Sequence, residues 1–564
     1  MEKVLHTLNT KLIAANKHQD LINKYKTLCT DEERIVFTLN VMLEYNIIPQ
    51  ACGDIKDAKE SEKLREQGNK LFVSTPLTNY TCVDALKLYT KSIAYAPYPS
   101  EQLALAYANR SAVLIKLHKC ELCIQDIDRA LALTYPDNLR AKLCVRKVEY
   151  DINQKKLSEK LNNTKHNLAS QNLKKQNIIK QPPLPKIKTR NIEVPCASDA
   201  VTIKYNEEYG RHIVATRRIR PGEVIAVEKP YSLILTPDNI HTHCSNCLEV
   251  SWANIPCEHC TYAMYCSEEC KAMEWKKYHD VECTVFPSML KMNFVKLDLF
   301  SLRLAIQAVR EATNIQELRK ELKEVDSCFS KDGTFPSDKY RSLLGLVTNT
   351  EKRSVQDLFR RSLDASFILY FVATCTNMFG NPLSKDLSVL IKNADVTFVG
   401  SLILRHQQMI PSNIHSECGL EAVERGAAAM PFSSLINHSC NPNILRHSRS
   451  KYVIIYLYDI YTQHYAITPK AVRQKKLLKQ YYFKCNCLPC QEDWIRHVLR
   501  KFNRYVDIAT EGNISDKHIV DDLLKMIEVL YELVPMPCTE MNNVVETLKR
   551  VYDLNGNRFE IPEL

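Results

Sequence analysis

"HCSNCLEVSWANIPCEHCTYAMYCSEECKAMEWKKYHDVEC", residues 243–283, places four close pairs of soft ligands along one short segment: Cys244 and Cys247, Cys257 and Cys260, Cys266 and Cys270, His279 and Cys283. A C-x2-C knuckle sets two thiolates at neighbouring corners of one tetrahedron. An x3 spacing sets two ligands one helical turn apart on a single face. Eight such ligands suit two tetrahedral zinc ions. The chain opens "MEKVLHTLNTKLIAANKHQD", without an apolar segment of secretory type, so the expected localisation is cytoplasmic and nuclear. In a reducing compartment, clustered thiols among 22 cysteines point to metal before disulfides.

The totals fit a soluble, largely helical protein of several domains. At 564 residues the chain exceeds one core, and a prior of about 150 residues per domain gives about three or four. Hydrophobic residues at 45% and charged residues at 25% argue against wholesale disorder. Only 12 glycines are present, which disfavours Gly-rich phosphate loops, and no G-x-x-x-x-G-K-[ST] sequence occurs. No apolar run is long enough to cross a bilayer, so no membrane partner is expected. The net charge of +11 is spread over the whole length and does not by itself indicate nucleic acid, which is not expected as a partner.

The expected fold class is α+β, multidomain. Residues 1–57 read as a polar helical segment without an interpretable motif. Residues 58–150 carry small and aromatic residues at helical spacing, as in "CVDALKLYTKSIAYAP" and "LALAYANRSAVLIKL". Ala85/Tyr89 and Ala108/Ala112 are i,i+4 pairs, and Pro97 and Pro136 fall where helices should end. Helix–turn–helix units of about 34 residues are the mark of tetratricopeptide repeats, which this segment resembles; a generic helical bundle is the alternative. Residues 151–194 are Lys- and Asn-rich with a Pro cluster, which reads as a basic linker. Strand-like alternation fills 195–243, with Pro221-Gly222 as a turn. After the finger at 244–283 come a helical stretch (284–410), a second β-rich part (411–470), a second Cys cluster (471–492) and a helical tail (493–564).

The cluster at 244–283 resembles the MYND finger, with Trp275 as its aromatic. By that resemblance Cys244, Cys247, Cys266 and Cys270 hold one zinc, and Cys257, Cys260, His279 and Cys283 hold the other. Fingers of this kind bind proline-containing peptides. A MYND finger followed by "SLINHSCNPN", residues 434–443, is similar to the SET and MYND family of protein-lysine methyltransferases, in the form with an N-terminal tetratricopeptide region. The resemblance spans roughly 195–564 and implies a β-rich SET core split by the finger and a helical insert. It implies S-adenosyl-L-methionine as cofactor, held by Gly210, Arg211, Asn413, Ser434, Asn437, His438 and Phe483, and a protein lysine as substrate. His212 stands where a second Gly is common. Tyr482 is expected to wall the lysine channel. "YYFKCNCLPC" offers Cys485, Cys487 and Cys490, three thiols where zinc wants four; Cys440 is the family's fourth ligand, giving a third ion.

One stretch departs from the pattern. The family continues from Asn-His-Ser-Cys through a strand, a basic turn ending in Gly-Glu, and a strand reaching Tyr-Gly. Here "KYVIIY", residues 451–456, supplies the first strand and "LYDIYTQHY" the Tyr-Gly segment, with Thr462 in place of Gly. The Gly-Glu turn is absent, and antiparallel strands need a connecting turn. Tyr461 is the best candidate for the catalytic Tyr. A shortened isoform or gene-model error, a tolerated deletion and a lost activity all fit the sequence. The leading function is S-adenosylmethionine-dependent protein-lysine N-methyltransferase. The alternative is a catalytically impaired adaptor or transcriptional corepressor working through finger and repeats.

Carboxylate-clamp repeats bind the C-terminal peptide of cytosolic heat-shock chaperones. The resemblance places Arg65 and Asn69 ("REQGN"), Asn109 ("YANRS"), and Lys142 and Arg146 ("KLCVR") at clamp positions. Cations with amide donors suit a terminal carboxylate; a solvated basic helix face would explain Lys142 and Arg146 equally well.

Overall fold

The computed structural model describes residues 2–53, 56–148, 184–220, 222–323, 328–330, 332–418, 424–449, 452–456, 468–493 and 518–533, with scattered positions between 541 and 551. The chain divides into two compact units. One comprises Asp54–Leu184, Pro237–Glu274 and Phe559–Leu564; the other comprises Met1–Gly53, Pro185–Thr236 and Trp275–Arg558.

In the first of these, four helices alternate as hairpins: α4 (Ala58–Phe72), α5 (Asn79–Tyr95), α6 (Glu101–Lys116) and α7 (Cys120–Leu131). Their starts are capped by side chains. Asp57 accepts from Lys59 N and Glu60 N, Thr78 from Thr81 N, and Ser100 from Leu103 N, satisfying amides that a helix start leaves unpaired. Small residues let the helices approach closely. Gly68 lies so near the Tyr89 ring that an added Cβ would sit 2.7 Å from it. Inside the bundle Arg110 makes a bidentate contact with Asp126, at 2.6 and 2.9 Å, and donates to Thr90 at 3.2 Å. Both charges are fully buried and matched, the condition under which a buried ion pair is tolerated. The strands β5 (Ile255–Pro256) and β6 (Met264–Tyr265) pair antiparallel. Ala253 and Met264 belong to the same core as the helices, and Arg129 donates to the Ala253 carbonyl at 3.1 Å. The first part of the cysteine-rich segment and the helical hairpins thus share one hydrophobic core.

The other unit is built on two long helices, Val355–Cys375 and Ala394–Asn413. The N-terminal helices α1 (Glu2–Ala14), α2 (His18–Lys26) and α3 (Asp31–Glu44) belong to its core. Ile35, Leu39 and Met42 of α3 are completely buried, Gln408 donates to Asp31 at 3.0 Å, and Thr397 donates to Glu32 at 2.7 Å. The segment without a motif is therefore structural and buries a full apolar face. Among the described residues no helix is long and apolar enough to cross a membrane.

Among the described residues, three small antiparallel sheets complete this unit. β1 (Val201–Asn206) and β2 (Gly210–Ala215) form a hairpin, and Gly222, at φ +75°, follows it. β3 (Val224–Glu228) pairs with β10 (Tyr452–Tyr456), which pairs with β9 (Leu445–Arg449). β4 (Ser232–Leu235) pairs with β8 (Glu424–Ala429), and β8 with β7 (His415–Cys418). One expectation is corrected here: the strand in "KYVIIY" is the second after Cys440, not the first. Leu445–Arg449 precedes it, as a polar strand held by pairing to β10 rather than by an apolar face. The stretch that follows Tyr456, with Tyr461 and Thr462, lies outside the described residues.

Candidate active site and metal centres

Gly210 takes φ +64°, a left-handed conformation that other residues adopt at a cost, and starts β2 where the hairpin turns. Arg211 beside it donates to the Gly345 carbonyl, fixing the hairpin against the turn after helix Tyr340–Leu344. Asn413, the last residue of its helix, donates to Val347 O and Met409 O, both at 2.8 Å. The Ser434 hydroxyl lies 2.7 Å from Asn413 O and 2.8 Å from Met430 O. It sits on the short 3-10 turn Ser433–Leu435, which leads directly into Asn437 and His438. Burial holds the His438 imidazole down to about 4, so it is neutral at physiological pH. Its ring lies 6.1 Å from that of Phe483.

These elements enclose a cavity of about 350 Å³. Gly210, Arg211, Asn413, Ser434, Asn437, His438 and Phe483 all line it, together with Tyr205, Tyr209, Leu477 and Tyr481, which sequence reasoning did not single out. The size and the mixture of apolar wall with a few polar groups suit a small organic ligand. Tyr482 is not among the lining residues; Tyr481 is. Tyr482 takes φ +61° at the end of helix Lys470–Tyr481 and turns its hydroxyl to Arg353, at 3.2 Å. Arg353 is itself tied to Thr348 O, Asp357 and Gln408 O. That anchor holds the chain reversal that delivers Phe483 to the cavity.

Behind the 3-10 turn lies Glu228, at the end of β3 and completely buried. Its carboxylate accepts from Phe432 N at 2.8 Å, Ser433 N at 2.9 Å and the Ser433 hydroxyl at 2.5 Å. Burial pushes the Glu228 carboxyl up to about 7, against the opposing pull of those hydrogen bonds. An acid at the inward position of the apolar strand "VIAVE" was the one visible signal for it.

Two thiol quartets close within single units. Cys244, Cys247, Cys266 and Cys270 have sulfurs all within 4.8 Å of one another, as do Cys440, Cys485, Cys487 and Cys490. Cys247–Cys266 is 3.8 Å and Cys266–Cys270 is 3.6 Å; Cys440–Cys485 is 4.0 Å and Cys440–Cys490 is 3.6 Å. A zinc–sulfur bond of about 2.3 Å gives a tetrahedral edge of about 3.8 Å, so both quartets fit a zinc ion and neither is a set of disulfides. Cys257 and Cys260 fall in one unit, His279 and Cys283 in the other, and all four are buried. Beside the C-terminal quartet the fully buried Arg473 points Nε at Cys440 Sγ, 3.2 Å away, and a second nitrogen at Cys490 Sγ, 3.6 Å away. Gln474 exchanges two hydrogen bonds with the Cys485 backbone. Helix Lys470–Tyr481 thereby joins metal ligands to cavity wall: Arg473 faces the thiols and Leu477, one turn on, faces the cavity.

The SET domain family model matches residues 210–464, a span that contains the cavity's Gly210, Asn413 and Asn437 and runs on through Tyr461. Residues 210–464 are similar to a SET domain. Relatives extend the likeness beyond the SET domain. It is 26% identical over 544 residues to the protein-lysine N-methyltransferase SMYD4 of Mus musculus, covering 77% of this chain and 67% of that protein. It is 25% identical to the histone-lysine N-methyltransferase ASHR1 of Arabidopsis thaliana, over 50% of this chain and 53% of that one. A SET and MYND domain-containing protein of Dictyostelium discoideum is 22% identical over 52% of this chain and 82% of its own length. The chain thus spans about two thirds of the length of the SMYD4 protein it matches.

Among the helical hairpins, Asn69 and Asn109 are brought into direct contact. Asn109 donates to Asn69 Oδ1 at 2.8 Å, and the Tyr89 hydroxyl donates to the same oxygen at 2.8 Å. Arg65 lies one turn earlier on α4, within 3.5 Å of Glu62. Arg146 donates to Ala108 O and the Ser111 hydroxyl, whereas Lys142 is exposed.

Proposed function

We propose that this chain transfers a methyl group from S-adenosyl-L-methionine to a lysine side chain of a protein substrate. The observation that carries the reading is the single cavity on which Gly210, Arg211, Asn413, Ser434, Asn437, His438 and Phe483 converge. When bound, S-adenosylmethionine supplies a methyl group on a positively charged sulfur, open to in-line attack by a neutral amine. The chain's own task is to position and to exclude water. Asn437 and neutral His438 offer polar contacts, and Phe483, Tyr481 and Leu477 contribute apolar lining. Asn413 and Ser434 tie the helix end to the turn that carries Asn437. Tyr461 remains the proposed catalytic Tyr; the SET match covers it.

The ions proposed are three zincs. Cys244, Cys247, Cys266 and Cys270 hold one. Cys440, Cys485, Cys487 and Cys490 hold another, locking the Phe483 segment to the Asn437–Cys440 segment. Cys257, Cys260, His279 and Cys283 hold the third, on the strength of their spacing and burial. The proposed partners are a substrate protein, a proline-containing peptide at the finger, and a chaperone C-terminal peptide on Arg65, Asn69, Asn109, Lys142 and Arg146. The proposed residence is cytoplasmic and nuclear.

Incubation of the zinc-loaded chain with S-adenosylmethionine labelled in the methyl group, and candidate proteins, tests the activity. Acid-stable label on lysine that disappears in Asn437→Ala supports it. A folded chain that binds the cofactor yet labels nothing favours the adaptor reading.

A further inference from the structure

Glu228 is not in the cavity, yet it accepts three hydrogen bonds from the two residues that open the turn lining it. We propose that Glu228 is a positioning residue of the cofactor pocket: its carboxylate fixes the backbone of Phe432 and Ser433 so that the segment from Ser434 to His438 keeps its binding shape. The inference rests on the reading of that cavity as the S-adenosylmethionine site.

The hydrogen-bond partners favour an ionised carboxylate, while burial opposes it. Two backbone amides and a hydroxyl converge on two oxygens, and a carboxylate is acceptor-only. A Gln side chain has one acceptor oxygen, so its NH2 group would face an amide N–H, and two donors would confront each other in a dry site. The tie also lies next to a second one. Ser434, one residue on, is fixed to Asn413 O, so consecutive residues are pinned to two separate elements, β3 and the end of helix Ala394–Asn413. β3 carries Glu228 as a partner of β10, a different element from the turn, so the bond is made across the fold rather than within a local motif. Among the described residues the charged and titratable groups facing it are the Arg446 guanidinium on β9, which favours ionisation, and the Cys196 thiol. Since burial raises the carboxyl to about 7, protonation on mild acidification replaces an acceptor with a donor and loosens the turn.

The test is calorimetric titration of S-adenosylhomocysteine into the zinc-loaded full chain between pH 6 and 8.5, for wild type, Glu228→Gln and Glu228→Asp. Wild type is expected to lose affinity several-fold as pH falls from 8 to 6. E228Q is expected to bind about tenfold more weakly at pH 8 with a flattened pH profile, and E228D to recover part of the loss. Wild-type binding with E228Q matching it in affinity and profile overturns the role of Glu228. Should E228Q not fold, a flat wild-type profile does the same. Absence of wild-type binding at every pH overturns instead the pocket reading on which the inference stands.

Discussion

Asn69 receives two hydrogen bonds on its amide oxygen, from Tyr89 and Asn109, which leaves its NH2 group without a partner among the described residues. That is a donor oriented in advance, with Arg65 one turn away, and it suits a carboxylate. Asn69→Ala should weaken binding of a peptide with a free C-terminal carboxylate by tenfold or more, as expected for loss of a charge-assisted hydrogen bond of about 1.5–3 kcal/mol. Fluorescence anisotropy with free and amidated peptides checks it, and equal binding of the two by wild type would remove the clamp. Glu228 carries a pH prediction of its own for stability. Its carboxyl titrates near 7 in the folded chain against an ordinary value near 4.5, so the folded state holds more protons between those values. Its contribution to stability is therefore full at the acid end of that window and is lost as pH rises through about 7, by about 3 kcal/mol. Denaturant titrations of wild type should show that loss, and Glu228→Gln should flatten it; parallel curves would contradict the assignment.

At the scale of elements, helix Lys470–Tyr481 couples the C-terminal quartet to the cavity. A zinc held by four thiolates carries net negative charge, and buried Arg473 beside two of the sulfurs offsets it. Arg473→Met should lower zinc affinity at that site by about tenfold to a hundredfold, the usual effect of losing such an outer contact. Competition with a chromophoric chelator measures this, and an unchanged affinity would make Arg473 a packing residue only. This helix also shows where sequence reading ends. The thiols were legible because ligand spacing is a local, short-range property. Arg473 was not, because its role depends on thiols that lie farther along the chain and on Cys440, which comes before the helix. The strand Leu445–Arg449 was missed for a related reason: its residues are polar, and only pairing with β10 makes it a strand. The left-handed backbone turn at Tyr482, invisible in composition, brings its hydroxyl to Arg353.

Over the whole molecule, the thiol clusters and the SET-like segment could be read from motifs, whereas the division of mass could not. The motif-free helices α1–α3 belong to the core of the unit that holds the cavity, because Ile35, Leu39 and Met42 have their partners hundreds of residues away. The first part of the cysteine-rich segment shares its core with the helical hairpins. Removal of metal should accordingly act on both units. Chelation is expected to abolish cooperative melting of the repeat helices as well as ligand binding, because a structural zinc site supplies folding free energy. Circular dichroism with and without chelator checks it; an unchanged melting curve would show that the repeats stand without the finger.

The central claim is that thiol-held metal keeps a methyl-donor pocket assembled around Asn437, His438 and Phe483. Its most direct test is a titration of S-adenosylmethionine into the zinc-replete, full-length chain. The account predicts saturable binding of one equivalent, abolished by Asn437→Ala and by chelation of zinc. A folded chain with its zinc in place and no heat of binding would contradict it.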